Sequence, residues 1–168
     1  MTSVPKIGLV LSGGGARGAY ELGVLQWIAE HEPEVLASIR VLTGSSVGAV
    51  NAAYLASHGV SPSAVNSLVE LWSGLEMSDV LDASYLRMLR ILGSGTRRLF
   101  GRGATPATGI FRVDGLRELV EQEIAWPRLH ERLSCGELDA LAVAATDIAT
   151  GGTHLFVHHS PELPVPRW

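Results

Sequence analysis

Two glycine-rich turns, each set between an apolar run and a stretch of helical periodicity, constrain this chain more than any other feature. The first is Ser12-Gly13-Gly14-Gly15-Ala16-Arg17-Gly18 and the second Thr43-Gly44-Ser45-Ser46-Val47-Gly48. Ile7 to Leu11, ahead of the first turn, is a nearly continuous apolar run, the pattern of a strand covered on both faces. Beyond the turn, Leu22, Leu25, Trp27 and Ile28 fall at helical spacings with Glu21, Gln26 and Glu30 between them, and Pro33 closes that helix or its exit loop. Ile39 to Leu42 predicts a second short strand, and Ala49 to Ala56 a buried helix of small residues. Strand, turn and helix twice over is the opening of a parallel α/β sheet.

The remainder of the chain fits the same plan. Pro62 sits where a helix would begin, with Val65, Leu68, Val69 and Trp72 on its apolar side. A further helix is expected from about Val80 to Leu92, a loop from Gly93 to Gly109, and a helix from Val113 to Glu123 capped by Asp114. Leu141 to Ala145 reads as a third strand and His154 to Val157 as a fourth, while the prolines between Pro161 and Pro166 bar a central strand or helix interior there. With 168 residues and 46% hydrophobic content, the chain has the material for one domain with a real core. Low charge excludes a disordered chain, and no apolar run approaches the roughly 20 residues that cross a bilayer. A net charge of −4 argues against nucleic-acid binding through bulk positive charge. Cys135 stands alone, so neither an intrachain disulfide nor a cysteine-built zinc site is available. The apolar stretch after Lys6 is too short for a secretory signal and runs straight into glycine, which points to the cytoplasm.

Gly44-Ser45-Ser46-Val47-Gly48 fits G-x-S-x-G between a strand and a helix. A nucleophile on such a turn needs small flanking residues, Gly44 and Gly48, because the backbone is crowded there. The turn would lift the Ser46 hydroxyl to the carboxyl end of the sheet, at the positive end of the next helix. Gly13, Gly15 and Gly18 fit G-x-G-x-x-G, a pattern shared with dinucleotide sites. That reading expects an acid at the end of the second strand, where the chain has Leu42-Thr43-Gly44, and no Gly-Lys-Ser/Thr of a P-loop follows. What remains is a loop of free amides able to donate to an oxyanion, with Arg17 as a fixed charge or a pin for the loop. Two turns ending neighbouring parallel strands would bring Ser46 and the Gly13 to Gly15 amides to one reacting carbonyl, the arrangement of acyl transfer.

These paired motifs resemble those of the patatin-like phospholipases. Gly109-Ile110-Phe111 and Ala145-Thr146-Asp147-Ile148-Ala149-Thr150-Gly151 also sit where bacterial members have similar segments, so the resemblance spans nearly the whole chain. It implies an α/β three-layer sandwich with a mainly parallel sheet and a serine lipid acyl hydrolase acting on phospholipids or other acyl esters. It also implies Ser46 as nucleophile and Gly13, Gly14, Gly15, Arg17 and Gly18 as the oxyanion loop, without metal or cofactor. The family's base is an aspartate in an Asp-Gly-Gly or Asp-Gly-Ala motif downstream, which this sequence lacks. Residues 1–168 therefore read as a single domain cut short before its base. The alternatives are a catalytically incomplete lipid-binding or regulatory fragment, and transfer of the acyl group to an alcohol or thiol.

Asp114-Gly115 opens a helix and reads as a cap. Asp147 reads as structural, and His154, His158 and His159 as solvated strand-end histidines, although Ser46, Asp147 and a following histidine reproduce the chain order of α/β-hydrolase triads. Arg87, Arg90, Arg97, Arg98, Arg102 and Arg112 fall in a stretch with no acid between Ala83 and Val113. That stretch reads as a solvated helix face and loop, or as a surface for peripheral contact with anionic lipid.

Overall fold

The computed structural model describes residues 5–15, 17–74, 113–147 and 149–163. The chain falls into two compact units, residues 1–72 with 123–168, and residues 73–122. In the first, β1 (Ile7–Leu11), β2 (Ile39–Ser45), β3 (Ala140–Thr146) and β4 (Thr153–His159) form one sheet in the order β1-β2-β3-β4. The first three strands are parallel and β4 returns antiparallel to β3. The expected α/β class with a mainly parallel sheet is what the chain has. Between the strands lie α1 (Arg17–His31), the one-turn α2 (Pro33–Ala37), α3 (Val47–His58) and α4 (Pro62–Gly74), followed later by α5 (Val113–Glu123) and α6 (Trp126–Ser134). Within the second unit the described part of α5 is largely exposed, and Arg117 pairs with Glu121 at 2.8 Å along it.

Three elements differ from the sequence expectation. β2 runs three residues past Leu42, because Thr43 and Gly44 pair with Val10 and Leu11 on one side, and Ser45 with Ala144 on the other. Pro33 begins α2 instead of only closing α1, as its fixed φ suits a first helical turn. α6, passed over in a polar stretch, buries only Leu129 and Leu133, one helical turn apart. The expected helix at 80–92, the loop at 93–109 and the basic residues Arg87, Arg90, Arg97, Arg98, Arg102 and Arg112 lie outside the described residues, as does the side chain of Asp114.

The core lies on one face of the sheet. α3 packs against β1, β2 and β3 and also against α6. Its sequence, VGAVNAAYLASH, is buried from Asn51 to Ser57, and its alanines let it lie close to the strands. Leu11, Leu42 and Leu141 of the sheet are buried in this core, together with Leu22 of α1, Leu36 of α2 and Leu55 of α3. Strands taken in the order 1-2-3 with right-handed crossovers send their helices to the same side. The opposite face carries Val10, Thr43, Ala142 and Val157 in register, and Val10 is 74% and Val157 53% exposed. Among the described residues β1 is covered on one face. Its apolar run reflects a side that no described helix reaches.

A polar latch closes the amino-terminal edge of the sheet. Asp139, just before β3, is 7% exposed and accepts from Lys6 at 2.7 Å and Arg40 at 3.0 Å. Its amide bonds to the Arg40 carbonyl at 2.7 Å, its carbonyl takes the Ser160 amide at 2.8 Å, and Arg40 also donates to the Gly136 carbonyl. Burial pushes the Asp139 carboxyl up, but hydrogen bonds from Lys6 and Arg40, and their charges, outweigh it and hold it below the ordinary range. A carboxylate held low contributes stability that is complete above its unfolded pKa of about 3.9 and is lost as pH falls through the lower folded value. Asp139→Asn is expected to cost about 2 kcal/mol at pH 7 by urea unfolding. The gap from wild type should narrow as pH drops from 5 toward 2; equal midpoints at pH 7 would refute the latch.

Candidate active site

Ser46 lies between β2 and α3, at the N-cap of the helix, with φ 52° and ψ −128°. Among the described residues it is the one non-glycine with positive φ. Such a conformation costs on the order of 1–3 kcal/mol and persists where neighbouring structure enforces it. A serine before a helix ordinarily caps it with its side chain. Ser46 makes no such bond; only its carbonyl takes part, accepting the Ala49 amide at 2.9 Å. Its hydroxyl is exposed and free of hydrogen bonds among the described residues. The Ser46 carbonyl also takes the Val50 amide at 3.4 Å, which leaves the Val47 and Gly48 amides of the first turn without helical acceptors directly beyond it.

The flanking glycines are sterically required. A Cβ on Gly44 would run into the Gly48 carbonyl and stand 2.6 Å from the Ala49 nitrogen. One on Gly48 would run into the Leu11 carbonyl and stand 2.6 Å from the Ser12 oxygen. The second contact joins the two turns: α3 begins with its backbone pressed against the end of β1, just before the glycine loop.

That loop lies beside Ser46. A Cβ built on Gly13 would be 3.1 Å from the Ser46 Cβ and 3.2 Å from Ser45 Oγ. Gly14 and Gly15 take φ of 150° and 58°, open to glycine and strained for most residues. The amides of Gly13, Gly14 and Gly15 meet no backbone acceptor among the described residues. The loop closes onto α1 through Gly18 N–H to the Gly15 carbonyl at 3.0 Å and Arg17 N–H to the Gly14 carbonyl at 3.3 Å. Gly18 is buried, and a Cβ there would be 2.9 Å from a Val47 methyl, so α1 starts tight against the residue after Ser46. The Arg17 stem lies over Gly14, with Cβ and Cδ near 3.1 to 3.2 Å of a Cβ placed there. All the expected loop and turn residues are thus gathered at one end of the sheet.

Two polar side chains, the half-buried Glu21 and the buried Asn51, had no sequence signal. Glu21, read only as a polar residue interleaved in the first helix, accepts the Ser12 amide at 2.8 Å and the Ser12 hydroxyl at 2.6 Å. Asn51 is fully buried on α3, accepts Trp72 Nε1–H at 2.8 Å from α4, and lies 3.4 Å from a Cβ built on Gly18. Neither pairing follows a short motif, since each partner comes from a different element.

The triad candidates do not converge on Ser46. Asp147 Oδ1 accepts the Ala149 amide and Oδ2 the Thr150 hydroxyl, both at 2.8 Å, while its backbone bonds Gly151 and Gly152. It thereby organises the β3–β4 turn. The Thr150 and Ala149 hydrogen bonds hold its carboxyl below the ordinary range, away from the pKa of a base working near neutrality. His154 stands 3.9 Å from Asp147 and is exposed, His158 stacks on His130, and His159 contacts the Ser160 carbonyl. Two cavities of about 240 and 250 Å³ lie elsewhere, one beside Ser57 and Arg132, the other at the Asp139 latch. Among the described residues no three His, Cys, Asp or Glu side chains gather as a metal site.

Over residues 9–155 the sequence matches the family model for patatin-like phospholipase. The chain belongs to the patatin-like phospholipase family. That is a family of lipid hydrolases. Solved structures similar to it include the heterodimeric ExoU–SpcU complex from the type III secretion system of Pseudomonas aeruginosa, at 28% identity and a TM-score of 0.49, covering 95% of this chain and 34% of that one. Another is the type III effector protein ExoU, at 24% identity and a TM-score of 0.49, covering 94% of this chain and 36% of that one. The chain thus spans about a third of the length of these structures.

The packing at the elbow makes a direct prediction. Gly44→Ala and Gly48→Ala should each lose about 3 kcal/mol or more in urea unfolding, because backbone, not a movable side chain, opposes the new methyl. Gly23→Ala, in α1 with open space around it, should gain about 0.5–1 kcal/mol. Equal effects at all three sites would show that the close approach is not enforced.

Proposed function

We propose that this chain carries the nucleophile and oxyanion loop of a serine lipid acyl hydrolase. The observation that supports this best is the strained, exposed Ser46 beside Gly13, within a family of lipid hydrolases. Ser46 Oγ would attack the carbonyl carbon of an acyl ester while a base removes its proton. The carbonyl oxygen, now negative, would take hydrogen bonds from the Gly13 to Gly15 amides, donors already in place before charge develops. Collapse would expel the alcohol and leave an acyl-enzyme, which water then cleaves to a fatty acid.

The same residues support a second reading. Among those described, no carboxylate or imidazole hydrogen-bonds the Ser46 hydroxyl, and Asp147 is committed to its turn. A chain that binds acyl lipid without turning it over would look the same at this site. Peripheral attachment to anionic membranes through the basic stretch containing Arg87, Arg90, Arg97, Arg98 and Arg102 is part of the same proposal. Among the described residues no helix is long and apolar enough to cross a membrane.

One experiment separates the two readings. A fluorophosphonate probe should label the folded chain at Ser46, located by peptide mass mapping, and Ser46→Ala should abolish labelling while keeping its circular dichroism spectrum. Hydrolysis of a fluorogenic acyl ester should fall by about 10³-fold or more in that variant. No label on folded wild type favours the inert reading, and ester hydrolysis undiminished in Ser46→Ala removes the serine mechanism.

A further inference from the structure

We propose that Glu21 is a positioning residue that holds the Gly13–Gly15 loop in its donor geometry, an inference that rests on the acyl-transfer reading of Ser46. The argument begins with what three successive glycines do. They allow the amides to approach a substrate oxygen closely, and they also give the loop more conformational freedom than any other tripeptide. An oxyanion site works only if its donors are already within about 0.5 Å of their working places. The loop therefore needs restraint at both ends. At its far end it has the bonds from Gly18 and Arg17 to the Gly15 and Gly14 carbonyls. At its near end it has Glu21.

Glu21 lies in the second turn of α1, the helix that the loop itself opens. Its Oε1 accepts both the backbone amide and the hydroxyl of Ser12, the last residue before Gly13, at 2.8 and 2.6 Å. The two bonds fix the Ser12 peptide and side chain to a rigid element nine residues on, closing a ring around the glycines. Bonds to a carboxylate are about twice as strong as those between neutral groups, which suits a restraint made at an exposed residue. Oε2 is buried and meets no donor among the described residues. Both bonds to Ser12 thus come from the single oxygen Oε1, at the near end of the loop. Because Ser12 also lies against Gly48, the first turn of the elbow helix, the clamp refers the loop to Ser46 as well as to α1.

The test compares Glu21→Ala with Glu21→Gln in the full chain. The rate and saturation of fluorophosphonate labelling at Ser46 are measured, with ¹⁵N relaxation order parameters for Gly13, Gly14 and Gly15. Glu21→Ala should lower the maximal labelling rate by about 10-fold or more, a part of what losing an oxyanion donor costs. Half-saturation should stay within about twofold, since probe binding does not use the loop's order. Order parameters of the three glycines should fall. Glu21→Gln keeps the accepting oxygen and should recover the rate to within about threefold, a rescue that a purely charge-based role would not give, while a purely structural role would leave the labelling rate of folded Glu21→Ala unchanged. Wild-type labelling rate and unchanged order parameters in Glu21→Ala would overturn the proposal, as would a folded Glu21→Gln as slow as Glu21→Ala. A wild-type chain that takes no label, with glycine order still falling in Glu21→Ala, would sink the acyl-transfer reading and leave the clamp standing.

Discussion

The structure depends on backbone approaching backbone where two strands end. Gly48 lets the first turn of α3 press on the carbonyls of Leu11 and Ser12, Gly44 lets β2 fold back on that turn, and Gly13 lies against Ser46. Neither Gly44 nor Gly48 tolerates a methyl group at its present spacing, and one on Gly13 would sit tightly against Ser46. Close packing is therefore what gives Ser46 its positive φ, since a chain bent this tightly has few other ways to pass from strand to helix. The strain is carried by a well-filled core: Leu42 and Leu55 are fully buried on either side of the bend.

How much of this was legible depended on the range of each interaction. The two glycine turns are local, and so was the strand-turn-helix order they imply. Ser46 and the loop glycines could be named from spacing alone. The length of β2 was not legible, because Thr43 to Ser45 are held by partners on β1 and β3 and not by their own propensity. α6 was missed because its packing against α3 rests on Leu129 and Leu133 in an otherwise polar segment. Glu21 and Asn51 escaped for the same reason: their partners, Ser12 and Trp72, lie 9 and 21 residues away on other elements. The structural reading of Asp147 agrees with its bonds to Ala149 and Thr150, a short-range pattern that sequence can carry.

The two ends of the sheet are built differently. At the amino-terminal edge, Lys6, Arg40 and Asp139 tie the starts of three strands together with charge and with short backbone bonds. At the carboxyl edge the chain has glycine, exposed hydroxyls and uncommitted amides. One end is tied together by charge, and the other leaves its polar groups uncommitted. A helix layer on one face of the sheet connects them, α3 running from the elbow to the pocket beside Ser57 and Arg132.

The alignment of β1 with β2 acts as a ruler for the site. Leu11 sits opposite Gly44, so each chain leaves the sheet within two residues of the other. A slip by a single residue would carry one exit about 3.3 Å past its neighbour and exchange the inner and outer sides of the strand. The oxygen on one bend would then overshoot the N–H groups on the other by more than a hydrogen bond's length. The ladder between two strands thus measures out the gap across which any chemistry here would take place.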